Sequence, residues 1–119
     1  MVEGFSVSAI IPTFNSERFI SDAIQSVLDQ NCDPMEIIVV DDGSSDDTKA
    51  RVKGFGDKVT YVFQENQGPA AARNNGIEMA KGNIMGFLDA DDQWTPGRLQ
   101  FMLERLARSD SPEVVMGKV

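Results

Sequence analysis

The residues equipped for chemistry are mostly carboxylates. The apolar run Ile84-Met85-Gly86-Phe87-Leu88 ends abruptly in Asp89-Ala90-Asp91-Asp92. Asp89 and Asp91 flank one small residue, and two carboxylates that close repel unless a cation or protons sit between them. A divalent metal on oxygen ligands, with a phosphate on its far side, answers that repulsion. The alternative is a solvated acidic turn before the helix that starts near Pro96. A second pair, Asp41-Asp42, precedes Gly43-Ser44. A carboxylate there accepts from a nucleobase N–H or from ribose hydroxyls, and the glycine lets backbone approach closely. Its alternative is turn and capping chemistry. Pro12-Thr13-Phe14-Asn15 offers a hydroxyl, a ring and helix-start N–H groups to a base or ribose, or is a plain strand-to-helix turn. Acids cannot hold a diphosphate directly, because both are negative; a bridging divalent cation resolves this. Arg73 is the best local cation, one turn into a helix whose start carries partial positive charge. Its alternative is a solvent-facing arginine.

Other chemistries are excluded by what the 119 residues lack. There is no histidine, so His-based triads, the usual zinc sites and imidazole bases are absent. Cys32 is the sole cysteine, so no internal disulfide forms and a reducing, cytoplasmic compartment is expected. The net charge of -8, without a Lys/Arg block, argues against nucleic acid and anionic membrane as partners. No run is long enough to span a bilayer and no leader is visible. A longer, membrane-associated parent is compatible with this.

These groups need elements to position them. Val7 to Ile11 reads as a buried strand. Asn15 or Ser16 is placed to cap a helix with Phe19, Ile20, Ala23, Ile24, Val27 and Leu28 on its apolar face. Ile37 to Val40 is a second buried strand. Ser44 or Ser45 can cap a short helix carrying Asp46 and Asp47 in its first turn, and Val59 to Phe63 is a third strand. Pro69 suits the first turn of a helix through Met79 and Ala80, in which Gly76 either weakens the helix or marks close backbone contact. Ile84 to Leu88 reads as a strand buried on both faces. Leu99, Met102, Leu103 and Leu106 stripe a last helix, and Glu113 to Val119 reads as a last strand. Strict alternation of strand and helix predicts an α/β, Rossmann-like, mostly parallel sheet with helices on both faces. Thr13, Asp41, Asp42 and Asp89 to Asp92 then share one rim, the carboxyl end where such sheets bind ligands.

Taken together, Val7 to Asn15, Ile37 to Asp46, Asn66-Gln67-Gly68-Pro69-Ala70-Ala71-Ala72-Arg73-Asn74 and Phe87-Leu88-Asp89-Ala90-Asp91-Asp92, followed by Trp94 and Pro96, resemble glycosyltransferase family 2. The resemblance implies the A-type, nucleotide-diphospho-sugar transferase fold and a nucleotide-sugar donor, a UDP-sugar first. It implies that Thr13 and Asp41 hold the base with Asp42 nearby, and that Pro12 and Asn15 belong to the same set. Arg73 would approach the base or diphosphate. Asp89 would sit by the ribose, and Asp91, with Asp89, would ligate Mn2+ or Mg2+. Transfer in that family is usually inverting, and it often serves cell-wall or polysaccharide biosynthesis.

Members are normally longer, and their acceptor-binding half with its base carboxylate follows the point where these residues stop. No catalytic base is therefore assignable. Residues 1–119 are expected to be one donor-binding part that binds nucleotide but does not turn over alone. One alternative is a non-catalytic nucleotide-diphosphate and metal binding module. Another is a sugar-1-phosphate nucleotidyltransferase, but Pro12 to Arg18 lacks that group's Gly-rich, basic loop. An uncovered sheet edge is expected to give either a homo-oligomer or marginal stability.

Overall fold

A computed structural model describes residues 4–33 and 35–108. The elements alternate as expected: β1 (Val7–Thr13), α1 (Ile20–Leu28), β2 (Met35–Asp41), α2 (Thr48–Lys53), β3 (Thr60–Phe63), α3 (Pro69–Met79), β4 (Ile84–Phe87) and α4 (Arg98–Ala107), with one 3-10 turn at Gly56–Lys58. The strand expected at Glu113 to Val119 lies outside the described residues.

The four strands form one parallel sheet in the order β3-β2-β1-β4. Parallel neighbours need crossovers, and the helices supply them. Register sets Thr13 beside Asp41 and Ile10 beside Phe87, so the carboxyl ends of β1, β2 and β4 open on one rim. The main core lies on one face of the sheet. Ala9, Ile11, Ile37, Val39 and Ile84 meet Ile20, Ile24 and Val27 of α1, Val52 of α2, and Leu99 and Leu103 of α4. On the opposite face, α3 covers β1 and β2 through Ala72, Ile38 and Val40. Gly76 allows this approach: a Cβ there would stand 2.5 Å from Ile10 Cγ2.

Three expectations need correction. β4 is not buried on both faces. Ile84 and Gly86 are buried, while Met85 and Phe87 are only half-buried. Its position explains this, since β4 is outermost among the described strands and α3 packs over β1 and β2 instead. Phe19 leaves the apolar face it was assigned; it precedes the first helical residue and is 49% exposed. Asn15, Ser16, Ser44 and Ser45 do not cap α1 or α2 through their side chains. They tie the two loops to each other, as described below.

Candidate functional site

The rim holds a cavity of about 520 Å³, a size suited to a small-molecule ligand. β1 and the loop after it contribute Pro12, Thr13, Phe14, Asn15 and Ser16, and Phe19 follows at the start of α1. Asp42 enters from the end of β2. Asn66, Gly68, Pro69, Ala72 and Arg73 come from α3 and the loop before it, and Asp89, Ala90 and Asp91 from the end of β4. Pro12, Thr13, Asn15, Asp42, Arg73, Asp89 and Asp91, scattered over 80 residues of sequence, are thus brought together. Asp41 is not among the lining residues.

The two adjacent acids face different surroundings. Asp41 is fully buried. Its Oδ1 accepts the Ser44 N–H at 2.9 Å and its Oδ2 accepts the Tyr61 hydroxyl at 2.6 Å. Asp42 is 5% exposed and reaches the cavity wall. Its Oδ1 accepts from Gln64 Nε2 at 2.9 Å and from the Gln67 N–H at 2.7 Å, and its Oδ2 from the Gly68 N–H at 3.0 Å. Burial pushes the Asp42 carboxyl up, but the bonds from Gln64, Gln67 and Gly68 together outweigh it and hold it below the ordinary value. Asp42 is therefore ionised at neutral pH. A carboxylate offers about four acceptor sites, so three donors leave one for a ligand.

Thr13 is 4% exposed, and its Oγ1 is buried without a hydrogen-bond partner. A buried hydroxyl left unpaired costs about 1–3 kcal/mol. The residue itself stands in the cavity wall. Phe14 and Phe19, 48% and 49% exposed, line the same cavity. The aromatic character of Phe14 was visible in the sequence. Phe19 was missed, because residues 19 and 20 fit the helical stripe equally well.

At the end of β4, carboxylate oxygens of Asp89, Asp91 and Asp92 all lie within 4.8 Å of one another. Oxygen ligands at about 2.0–2.6 Å stand roughly 4–5 Å apart when they lie on opposite sides of one hard divalent ion. The donor set and its spacing therefore fit a hard divalent cation. Arg73, half-buried, is the one cationic side chain in the cavity wall among the described residues.

The family model described as "Glycosyl transferase family 2" matches residues 8–118. The chain belongs to glycosyl transferase family 2. A relative from Campylobacter jejuni, named GalNAc(5)-diNAcBac-PP-undecaprenol beta-1,3-glucosyltransferase, is 39% identical over 104 residues, which cover 83% of this chain and 34% of that protein. Among solved structures, S. aureus TarS 1–349 in complex with UDP superposes with a TM-score of 0.78 at 28% identity, over 86% of this chain and 33% of that 1–349 chain. The mannosyltransferase PcManGT from Pyrobaculum calidifontis, in complex with GDP-Man and Mn2+, gives 0.80 at 29% identity, over 87% and 32%. The fold is that of the A-type family 2 glycosyltransferases, and the chain spans well under half the length of the curated relatives it matches, 34% or 35% for four of them.

Proposed function

We propose that this chain is the donor-binding part of a glycosyltransferase that moves a sugar from a nucleotide diphosphate to an acceptor hydroxyl. One observation carries the reading: the carboxylates of Asp42, Asp89 and Asp91 and one arginine share the wall of a single cavity with Thr13, and Asp92 joins Asp89 and Asp91 in one acidic cluster at its edge. TarS with UDP and PcManGT with GDP-Man and Mn2+ support it as structural neighbours. In this reading Thr13 and the remaining acceptor site of Asp42 meet the base. Phe14 offers its ring, while Pro12 and Asn15 shape the loop around it. Asp41 supports the base site from behind the wall. Arg73 approaches the diphosphate and Asp89 the ribose. Asp91 and Asp89, with Asp92 beside them, would hold Mn2+ or Mg2+. Such an ion, when bound, would neutralise charge developing on the leaving diphosphate.

The donor we favour is a UDP-sugar, and transfer with inversion at the anomeric carbon. The general base that takes the acceptor's proton is not assigned among these residues. The parent enzyme would then belong to cell-wall or polysaccharide biosynthesis, a setting that the buried free thiol of Cys32 suits if the compartment is the reducing cytoplasm. No helix among the described residues is long and apolar enough to cross a membrane. β4, outermost among the described strands, offers an edge for a second copy.

Calorimetric titration with UDP, GDP and CDP, each with and without Mn2+, tests the reading. Binding of one nucleoside diphosphate that strengthens with Mn2+ is the expected result. No binding of any of the three in the presence of Mn2+ would refute it. A non-catalytic binding module would give the same titration, and absence of sugar transfer by the full-length parent would favour that second reading.

A further inference from the structure

Tyr61 lies on β3, outside the cavity, yet it stands at the start of a continuous line of hydrogen bonds that ends in the cavity wall. Its hydroxyl donates to Asp41 Oδ2 at 2.6 Å. Asp41 Oδ1 accepts the Ser44 N–H at 2.9 Å, which fixes the turn after β2. Ser44 Oγ then accepts the Asn15 N–H at 2.8 Å, and Asn15 Oδ1 accepts the Ser45 N–H at 2.8 Å. Two parallel ties hold the same loop. Thr48 Oγ1 accepts the Ser16 N–H at 2.9 Å, and Asp46 Oδ2 accepts the Glu17 N–H at 3.3 Å.

The loop so held is conformationally demanding. Asn15 sits at a φ of 45°, the left-handed region, which asparagine tolerates only at some cost. Phe14, 48% exposed beside it, has little packing of its own to fix its ring. What keeps Phe14, Asn15 and Ser16 in the cavity wall is therefore the bonding from Ser44 and Ser45 together with that from Asp46 and Thr48, and the anchor of the Ser44 turn is Asp41. A carboxylate with no exposure is costly unless its acceptor sites are filled. Tyr61 fills one of them. Burial, and then the Asp41 carboxylate, push the Tyr61 phenol far above its ordinary range, so it remains a donor at any physiological pH. Lys53 Nζ lies over the Tyr61 ring, 5.2 Å from its centre.

We propose that Tyr61, acting through Asp41 and the Ser44 turn, is a positioning residue for the nucleotide cavity, setting the loop Phe14 to Ser16 without touching ligand. This deepens the donor-site reading above and rests on it. The residue type matters: phenylalanine at 61 keeps the ring and its packing but removes the only donor that reaches Asp41 Oδ2 among the bonds described.

The test uses the whole chain with two single variants, Tyr61→Phe and Ser44→Ala, and their double. Affinity for UDP with Mn2+ is measured by calorimetry. Each single variant should weaken UDP about 3- to 10-fold while keeping the wild-type circular dichroism, the size of effect that such coupled contacts carry. The double should lose little more than the worse single, because both cut one line. A purely structural role would lower the melting temperature and leave UDP affinity alone. Unchanged affinity in the folded single variants, or fully additive losses, overturns the proposal. If Tyr61→Phe does not fold, Ser44→Ala decides by the same affinity criterion. A readout without ligand separates this inference from the donor reading: amide exchange at residues 14–16 and 43–45 should quicken in either single variant. Wild-type chain that binds no nucleotide would sink the donor reading, whereas unchanged exchange would sink the positioning line.

Discussion

Thr13→Val separates a binding hydroxyl from a structural one. The two side chains have nearly the same shape, so packing at the end of β1 is kept. Thr13 Oγ1 is buried with no partner, and removing it takes away a penalty of about 1–3 kcal/mol that the free protein carries. Part of that is returned as apolar packing, and a net gain of about 1 kcal/mol is expected. For a domain of this size that is a rise in melting temperature of roughly 4 °C. Nucleotide affinity should move the other way. One hydrogen bond to ligand is worth about 0.5–1.5 kcal/mol, or roughly 2- to 12-fold in Kd. Thermal melts followed by calorimetric titration with UDP and Mn2+ read both quantities on one preparation. A variant that is less stable than wild type, or that binds UDP equally well, refutes the assignment of Thr13 to the ligand.

Other substitutions probe the supports of the site. Asp42→Asn removes an acceptor from a cluster of three donors and should cost about 1–3 kcal/mol at pH 7 in denaturant unfolding. The folded Asp42 carboxyl lies below its ordinary 3.8, so its stabilisation is complete above about pH 5 and is lost as pH falls through the folded value; the variant's stability should fall less steeply below pH 4. Tyr61 is the only tyrosine, so tyrosinate absorbance reports it alone. Its folded pKa is raised, which means that its stabilisation is present below pH 10 and is lost as pH climbs through the raised value. Ionisation should therefore coincide with alkaline unfolding, and Asp41→Asn should bring it to lower pH. Gly76→Ala would put a Cβ 2.5 Å from Ile10 Cγ2. Overpacking of about 1–3 kcal/mol, less the helix propensity gained of about 1 kcal/mol, leaves a net loss of up to about 2 kcal/mol, measurable by urea unfolding.

Much of this architecture was legible because its causes are local. Apolar runs of four or five residues alternate with amphipathic helices, and parallel strands admit few other arrangements. The convergence of Thr13, Asp42 and the acids after β4 follows from that topology alone. What could not be read depends on partners far away in sequence. Asp41 and Asp42 look alike in the chain, but Asp41 finds Tyr61, 20 residues on, and turns from the cavity, while Asp42 finds Gln64 and the backbone before α3. Asn15 and Ser44 each carry a local capping signal, yet they bond across about 30 residues instead. The half-exposure of Met85 and Phe87 was hidden for a similar reason. An apolar run records a residue's type, and only the position of α3 decides which face of β4 is covered.

The central proposal is that Asp89, Asp91 and Asp92 form a site for a divalent cation that carries a nucleotide's phosphates. Electron paramagnetic resonance of Mn2+, titrated into the chain with and without UDP, reads that directly. Wild type should bind Mn2+ far more tightly once UDP is present, and Asp91→Asn should abolish the gain. Equal Mn2+ binding with and without UDP, or an Asp91→Asn variant that behaves as wild type, would contradict the account.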